Sequence, residues 1–300
     1  MKKPICLLLF LCGSLHAVFS QKKLGMLEFL YNATVRIQTV DSVVKKDGKN
    51  ISYGTNGTGF FFVFKTGRGD VPSIVTSRTI INSAESINFF FLEADKTGNP
   101  IYGKQQMVTL KRSALPIFYH PDNSVDLAII PINPIMDYLQ KQNITISFHS
   151  LDETVIPTDT MNNTFNPTED LYMIGHPAGL KNELNSLPVF SRGITSTPVF
   201  LDHYGRKEFL AELNVYEGST GALVMFFQSN NNTRYDEPMV GQRILLGGIL
   251  SGTYSKGFRS RVVLKGSYPS EEMIQHENTG IIIKSQRLLD FKKLLNGLKK

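Results

Sequence analysis

The sequence predicts an all-β chain that ends in a single helix. Three observations carry this expectation. Short runs rich in β-branched and aromatic residues recur from residue 34 to residue 283. Glycine, proline, asparagine and aspartate fill the gaps between them, as turns require. Residues 285–298 break the pattern, with Leu288, Leu289, Phe291, Leu294, Leu295 and Leu298 at helical spacing.

Residues 24–31 fit a short helix, with Leu24, Leu27, Leu30 and Tyr31 on one face. Residues 34–40 then alternate apolar and polar side chains, the period of a half-buried strand. Residues 59–64 form a β-rich run opened by a glycine turn, and 73–76, 87–92 and 127–132 continue the series. In the second half the strand-like runs are 171–174, 193–199, 209–213, 222–227, 244–250 and 280–283. Many short strands joined by turns read as a sandwich or barrel. A stretch rich in proline, asparagine and threonine, residues 154–169, is the natural connection between two halves.

The first 20 residues read as a processing signal rather than as part of the fold. Lys2 and Lys3 precede a short apolar run, and Val18, Phe19 and Ser20 offer a cleavage site before Gln21. The expected location is therefore secreted or periplasmic. The apolar run is shorter than the roughly 20 residues that span a bilayer, and no later segment is longer, so no stable membrane span is expected. Both cysteines, Cys6 and Cys12, lie inside this signal. A mature chain without them has no disulfide, no thiolate metal site and no cysteine nucleophile. The formal charge of +6 is scattered apart from Lys292, Lys293, Lys299 and Lys300. With no arginine-rich helix and no RNA-binding aromatic signature, nucleic acid is not an expected partner. No cofactor or metal motif is present. Arg68-Gly69-Asp70 reads as a chance tripeptide in a glycine turn. Asn32, Asn50, Asn56, Asn143, Asn162 and Asn231 open glycosylation sequons of the kind an Asn- and Thr-rich chain makes by accident.

Four segments, in order, resemble the trypsin-like serine peptidase family, particularly its bacterial members. They are Gly57-Thr58-Gly59-Phe60, Ile74-Val75-Thr76-Ser77-Arg78-Thr79-Ile80-Ile81, Val125-Asp126-Leu127-Ala128-Ile129 after His120-Pro121-Asp122, and Gly218-Ser219-Thr220-Gly221-Ala222-Leu223-Val224. Ile174-Gly175-His176-Pro177, the run from Asn185 to Phe190, Leu246 to Gly252 and Asn278 to Ile283 support the match. The resemblance implies two six-stranded antiparallel β-barrels with a C-terminal helix. On that expectation residues 1–20 are the signal, 21–150 the first barrel, 151–170 the linker and 171–300 the second barrel with its helix.

The resemblance places Thr79 at the family's histidine, Asp126 at its aspartate and Thr220 at its serine, with Gly218 in the oxyanion loop. A serine hydroxyl needs a histidine to take its proton, an aspartate to orient that histidine and backbone N–H groups to hold the oxyanion. A threonine hydroxyl cannot serve as the base. Shifting the match by one residue would make Ser219 the nucleophile, but it moves Gly218 and Gly221 out of register. Gly218 and Gly221 also fit a simpler reading, a turn that needs positive φ. The histidines His120, His149, His176, His203 and His276 lack motif support as a base. Loss of one triad member costs roughly 10⁴ to 10⁶ in kcat. The implied protein is an inactive peptidase homologue, a pseudoenzyme. Its expected ligand is a peptide or protein, held in the groove between the barrels or at a strand edge. The alternative is an active serine-type endopeptidase using Ser219 or Thr220 with another base. The simpler role for Asp126 is a strand-start carboxylate bonded to backbone, and Asp126→Asn is then expected to be silent unless it caps N–H groups.

Overall fold

A computed structural model describes residues 26–46, 49–162, 164–178, 180, 187–228, 243–254 and 278–297. The expected signal with Cys6 and Cys12, the match at Asn185 and Ser186, His276, the sequon at Asn231, and Lys299 and Lys300 lie outside the described residues.

The chain enters through a short helix, α1 (Met26–Tyr31), and β1 (Thr34–Val40). A hairpin of β2 (Ser42–Lys46) and β3 (Lys49–Tyr53) stands apart from the main sheet. Then come β4 (Asn56–Thr66), β5 (Gly69–Thr76), a single helical turn α2 (Arg78–Ile81), β6 (Ser86–Ala94) and β7 (Pro100–Lys111). The half is completed by β8 (Phe118–Tyr119), β9 (Ala128–Pro131), α3 (Asn133–Lys141), β10 (Ile146–Ser147) and β11 (Leu151–Asp152). The nine strands β1 and β4–β11 form one sheet running β10-β6-β1-β4-β5-β9-β8, with β7 added to β6 and β11 parallel to β4.

After α4 (Asp159–Asn162), the second half contains β12 (Asp170–Gly175), β13 (Val189–Thr195), β14 (Glu208–Glu212), β15 (Leu223–Gln228), β16 (Arg243–Thr253) and β17 (Thr279–Lys284). These six close into an antiparallel barrel, β12-β13-β14-β17-β16-β15. The all-β double-barrel expectation is met by this closed barrel and a second sheet. That sheet has nine strands rather than six: the edge strand β7 and the short pieces β8, β10 and β11 join β1, β4, β5, β6 and β9.

Why these runs read as nearly continuous apolar stretches is plain from the packing. On β4, Phe60, Phe62 and Phe64 point into a core shared with Ile174, Leu223, Met225, Leu246, Ile249 and Ile283 of the second half. Phe61, on the opposite face, joins Val35, Ile37, Ile74, Phe89 and Ile130 inside the first half. The same alternation on β15 sends Val224 and Phe226 into the barrel interior and Leu223 and Met225 to the shared core. A strand buried on both faces has no polar side to display.

The C-terminal segment is helical, but in two pieces: a 3₁₀ stretch, Ser285–Asp290, and α5 (Phe291–Gly297). Leu288, Phe291 and Leu295 enter the shared core, and Phe291 lies 6.1 Å from the Phe64 ring. The last element thus covers the first sheet although it leaves the second barrel. We expect Phe291→Ala to cost about 3–5 kcal/mol, as deleting a fully buried aromatic does. A fall in the urea midpoint at unchanged slope checks this.

Candidate functional site at the junction of the two halves

Asp126 lies just before β9 and is half-buried. Its Oδ1 accepts the Thr79 backbone N–H at 2.8 Å and the Thr79 hydroxyl at 2.9 Å. Its Oδ2 accepts the Ser77 hydroxyl at 2.5 Å and the Ser251 hydroxyl at 3.1 Å. Ser77 is also the N-cap of α2, its hydroxyl sharing the Thr79 N–H at 3.2 Å. Capping by a serine is what starts so short a helix here. Ser251 stands at the irregular step between Leu250 and Gly252 in the β16–β17 ladder. A bulge there re-aims a side chain, in this case toward Asp126.

The loop carrying Thr220 is held on the same junction. Gly218 and Gly221 have φ of +85° and +83°. A Cβ on Gly218 would sit 2.7 Å from the His176 carbonyl oxygen, and one on Gly221 would sit 2.1 Å from the Thr58 oxygen. Both positions therefore need glycine for conformation and for space. The Thr58 N–H donates to the Thr220 carbonyl at 2.9 Å, and the Thr58 hydroxyl donates to the Gly218 carbonyl at 2.9 Å. Gly221 N–H donates to Leu250 O, one residue before Ser251. Successive residues of β16 thus hold the loop and Asp126.

Thr79 and Asp126 are accordingly in contact, and the Gly218–Gly221 loop is tied to the same stretch of β16 that reaches Asp126. Thr79 is exposed and Thr220 half-buried. Among the described residues, Thr220 is not one of Asp126's partners. Ser219 is fully buried, and its Oγ accepts the Tyr216 N–H at 3.3 Å. The partners that motif reading missed are Ser77, Ser251 and Thr58. Ser77 carried one usable signal, a hydroxyl immediately before a helical turn.

Each described histidine is engaged elsewhere. His176 is buried, with Nε2 3.1 Å from the Thr34 hydroxyl and its N–H on the Thr58 hydroxyl at 2.8 Å. Burial, with Arg36 nearby, holds its pKa down at about 3. His120 Nδ1 accepts the Asp122 N–H at 3.0 Å, so its Nε2 carries the proton shared with Asp290 at 3.1 Å. His149 stacks on Phe29, and burial lowers its pKa. His203 packs against Tyr204 and Tyr254. Chemically, the cluster offers a saturated carboxylate, hydroxyls and a glycine loop, with no described base beside them.

No family model matches this sequence, and no curated protein sequence does. Solved structures resemble it in fold. Rv3671c from M. tuberculosis, crystallised as a serine-to-alanine mutant in an inactive form, aligns over 90% of each chain at 12% identity and a TM-score of 0.45. The HtrA-type protease AlgW with a tripeptide aligns over 90% of this chain and 62% of its own, at 13% identity and a TM-score of 0.45. By its own topology the chain is a closed six-stranded antiparallel barrel packed on a second β-sheet with a C-terminal helical segment. Among the described residues no helix is long and apolar enough to cross a membrane.

Two outcomes follow from this geometry. Because Asp126 caps the Thr79 N–H, Asp126→Asn is not silent: we expect a loss of roughly 1–3 kcal/mol, read from chemical denaturation. The second concerns pH. Unfolded His176 takes up a proton below its ordinary 6.5, whereas the folded residue resists until about 3. Its contribution is complete above pH 6.5 and is lost as pH falls toward 3, on the order of 5 kcal/mol in all. His176→Gln should be less stable at pH 7 yet show a flatter stability profile between pH 6.5 and 4 than the wild type.

Proposed function

We propose that this chain is a catalytically inactive homologue of trypsin-like peptidases. In this reading it is exported and binds a peptide or protein at the junction of its two halves. The observation that carries the reading is the occupancy of Asp126. Where a triad would use this carboxylate to orient an imidazole, Thr79 fills Oδ1 with both its N–H and its hydroxyl. A base at position 79 is missing in kind, since threonine does not accept a proton near neutral pH. The alternative nucleophile, Ser219, is buried and turned onto its own loop. The loop backbone keeps its shape for a different reason, the crossing of Thr58 between the halves.

Of the two binding modes, the junction is favoured over strand addition. β7 is a 12-residue strand paired, among described strands, with β6 alone. It begins with Pro100, carries Lys104 and Lys111, and kinks at Gly103 with φ of +87°. Proline, lysine and a local kink are the devices that keep an edge from pairing.

Wild type should neither cleave a denatured protein nor label with a serine-reactive fluorophosphonate. Thr79→His with Thr220→Ser should label, because a histidine at 79 would stand against Asp126 and reach toward the Thr220 loop. Either single change should stay inert. Labelling of the wild type that disappears in Thr220→Ala or Ser219→Ala would overturn the reading. Binding is tested separately, by selecting ligands from a peptide library and asking whether bulky substitutions at Thr79 abolish capture.

A further inference from the structure

A small cavity lies between β1, β6, β10 and the turn that carries His176. It is lined by Asn32, Thr34, Ser147 and His176 together with aromatic residues including Phe61 and Phe91. The space open to the centre of a water molecule is about 10 Å³, the scale of a single-water site.

Asn32 supplies the second observation. Only 2% of it is exposed. Its Nδ2 donates to the Glu28 carbonyl at 3.2 Å, which fixes the amide orientation, since the flipped form would oppose two acceptors. Oδ1 is left buried with no partner among the described residues. Buried amide oxygens are rarely left in that condition.

We propose that this cavity binds one ordered water molecule, anchored by donation to Asn32 Oδ1. The lining can satisfy it. Ser147 donates its hydroxyl proton to Gly98 O at 3.3 Å and keeps lone pairs free to accept the second water hydrogen. Thr34 shares a hydrogen bond with neutral His176 Nε2 at 3.1 Å. Where His176 Nε2 donates, the Thr34 hydroxyl proton is free for the water oxygen; where Thr34 donates, Asn32 and Ser147 hold the water alone. Two to four polar partners are the usual complement of an internal water. The bound water would join the end of α1 and β1 to β10 beside the His176 turn of the other half. It also closes the Asn32-Ala33-Thr34 sequon to modification in the folded protein, because the amide is committed on both sides.

The test is a high-resolution crystal structure of the wild type with Asn32→Leu and Asn32→Asp. One well-ordered water within hydrogen-bonding distance of Asn32 Oδ1 is expected in the wild type. It should be retained in Asn32→Asp, which keeps the acceptor, and lost in Asn32→Leu. A dry cavity in wild-type crystals that show other internal waters would overturn the proposal, as would unchanged density in Asn32→Leu. Should the leucine variant not fold, water-to-amide cross-relaxation at residues 32 and 147 of the wild type decides the matter: its presence supports the site and its absence refutes it.

Discussion

Thr58 uses every polar atom it has, its hydroxyl and N–H across the junction between the two halves and its carbonyl within the first. Its hydroxyl donates to the Gly218 carbonyl and accepts from the His176 N–H. Its N–H donates to the Thr220 carbonyl, and its carbonyl accepts the Thr76 hydroxyl. The residue is fully buried, so an unmade bond here would leave a polar group with no water to turn to. The tight turns at Gly218 and Gly221, the course of β5 into α2 and the seat of the His176 turn all depend on this one residue. Its neighbours then need no reaction to explain their placement.

Asp126 follows the same logic from the other side. Three hydroxyls and one N–H from α2, its cap and β16 converge on it. A carboxylate with that many donors is a cross-link between halves, whatever role it holds in proteins with a histidine opposite. The order of this junction therefore comes from groups that would be satisfied with or without a proton-transfer role.

Much of the fold was legible because the strands are buried on both faces and leave unbroken apolar runs, as at Phe60 to Phe64 and Leu223 to Phe227. β7 was not legible. It lies at an edge, with Tyr102 and Met107 half exposed, so its side chains carry no clean alternation. α3 was hidden as well: Asn133-Pro134 starts it directly after β9, and only Ile135 and Leu139 are buried on its inner face. At the site, motif order alone brought together Thr79 and Asp126, which the structure places in contact. Ser77, Ser251 and Thr58 lie inside the matched segments, but the match gave them no role. A single hydroxyl has no periodic signature, and Ser251 meets Asp126 across 125 residues of chain.

The position of α5 has a consequence for the order in which the protein is made. Phe291 packs beside Phe64, and the Asn296 side chain accepts the Gly67 N–H across 229 residues. One wall of the first sheet is thus supplied by residues made more than 200 positions after it. Until they arrive, Phe62 and Phe64 lack their cover, and exposed aromatic strand surface of that kind invites aggregation. The amino-terminal half cannot complete itself before α5 is made, however early its strands pair. Whatever handles the nascent chain must keep it from associating until α5 has emerged.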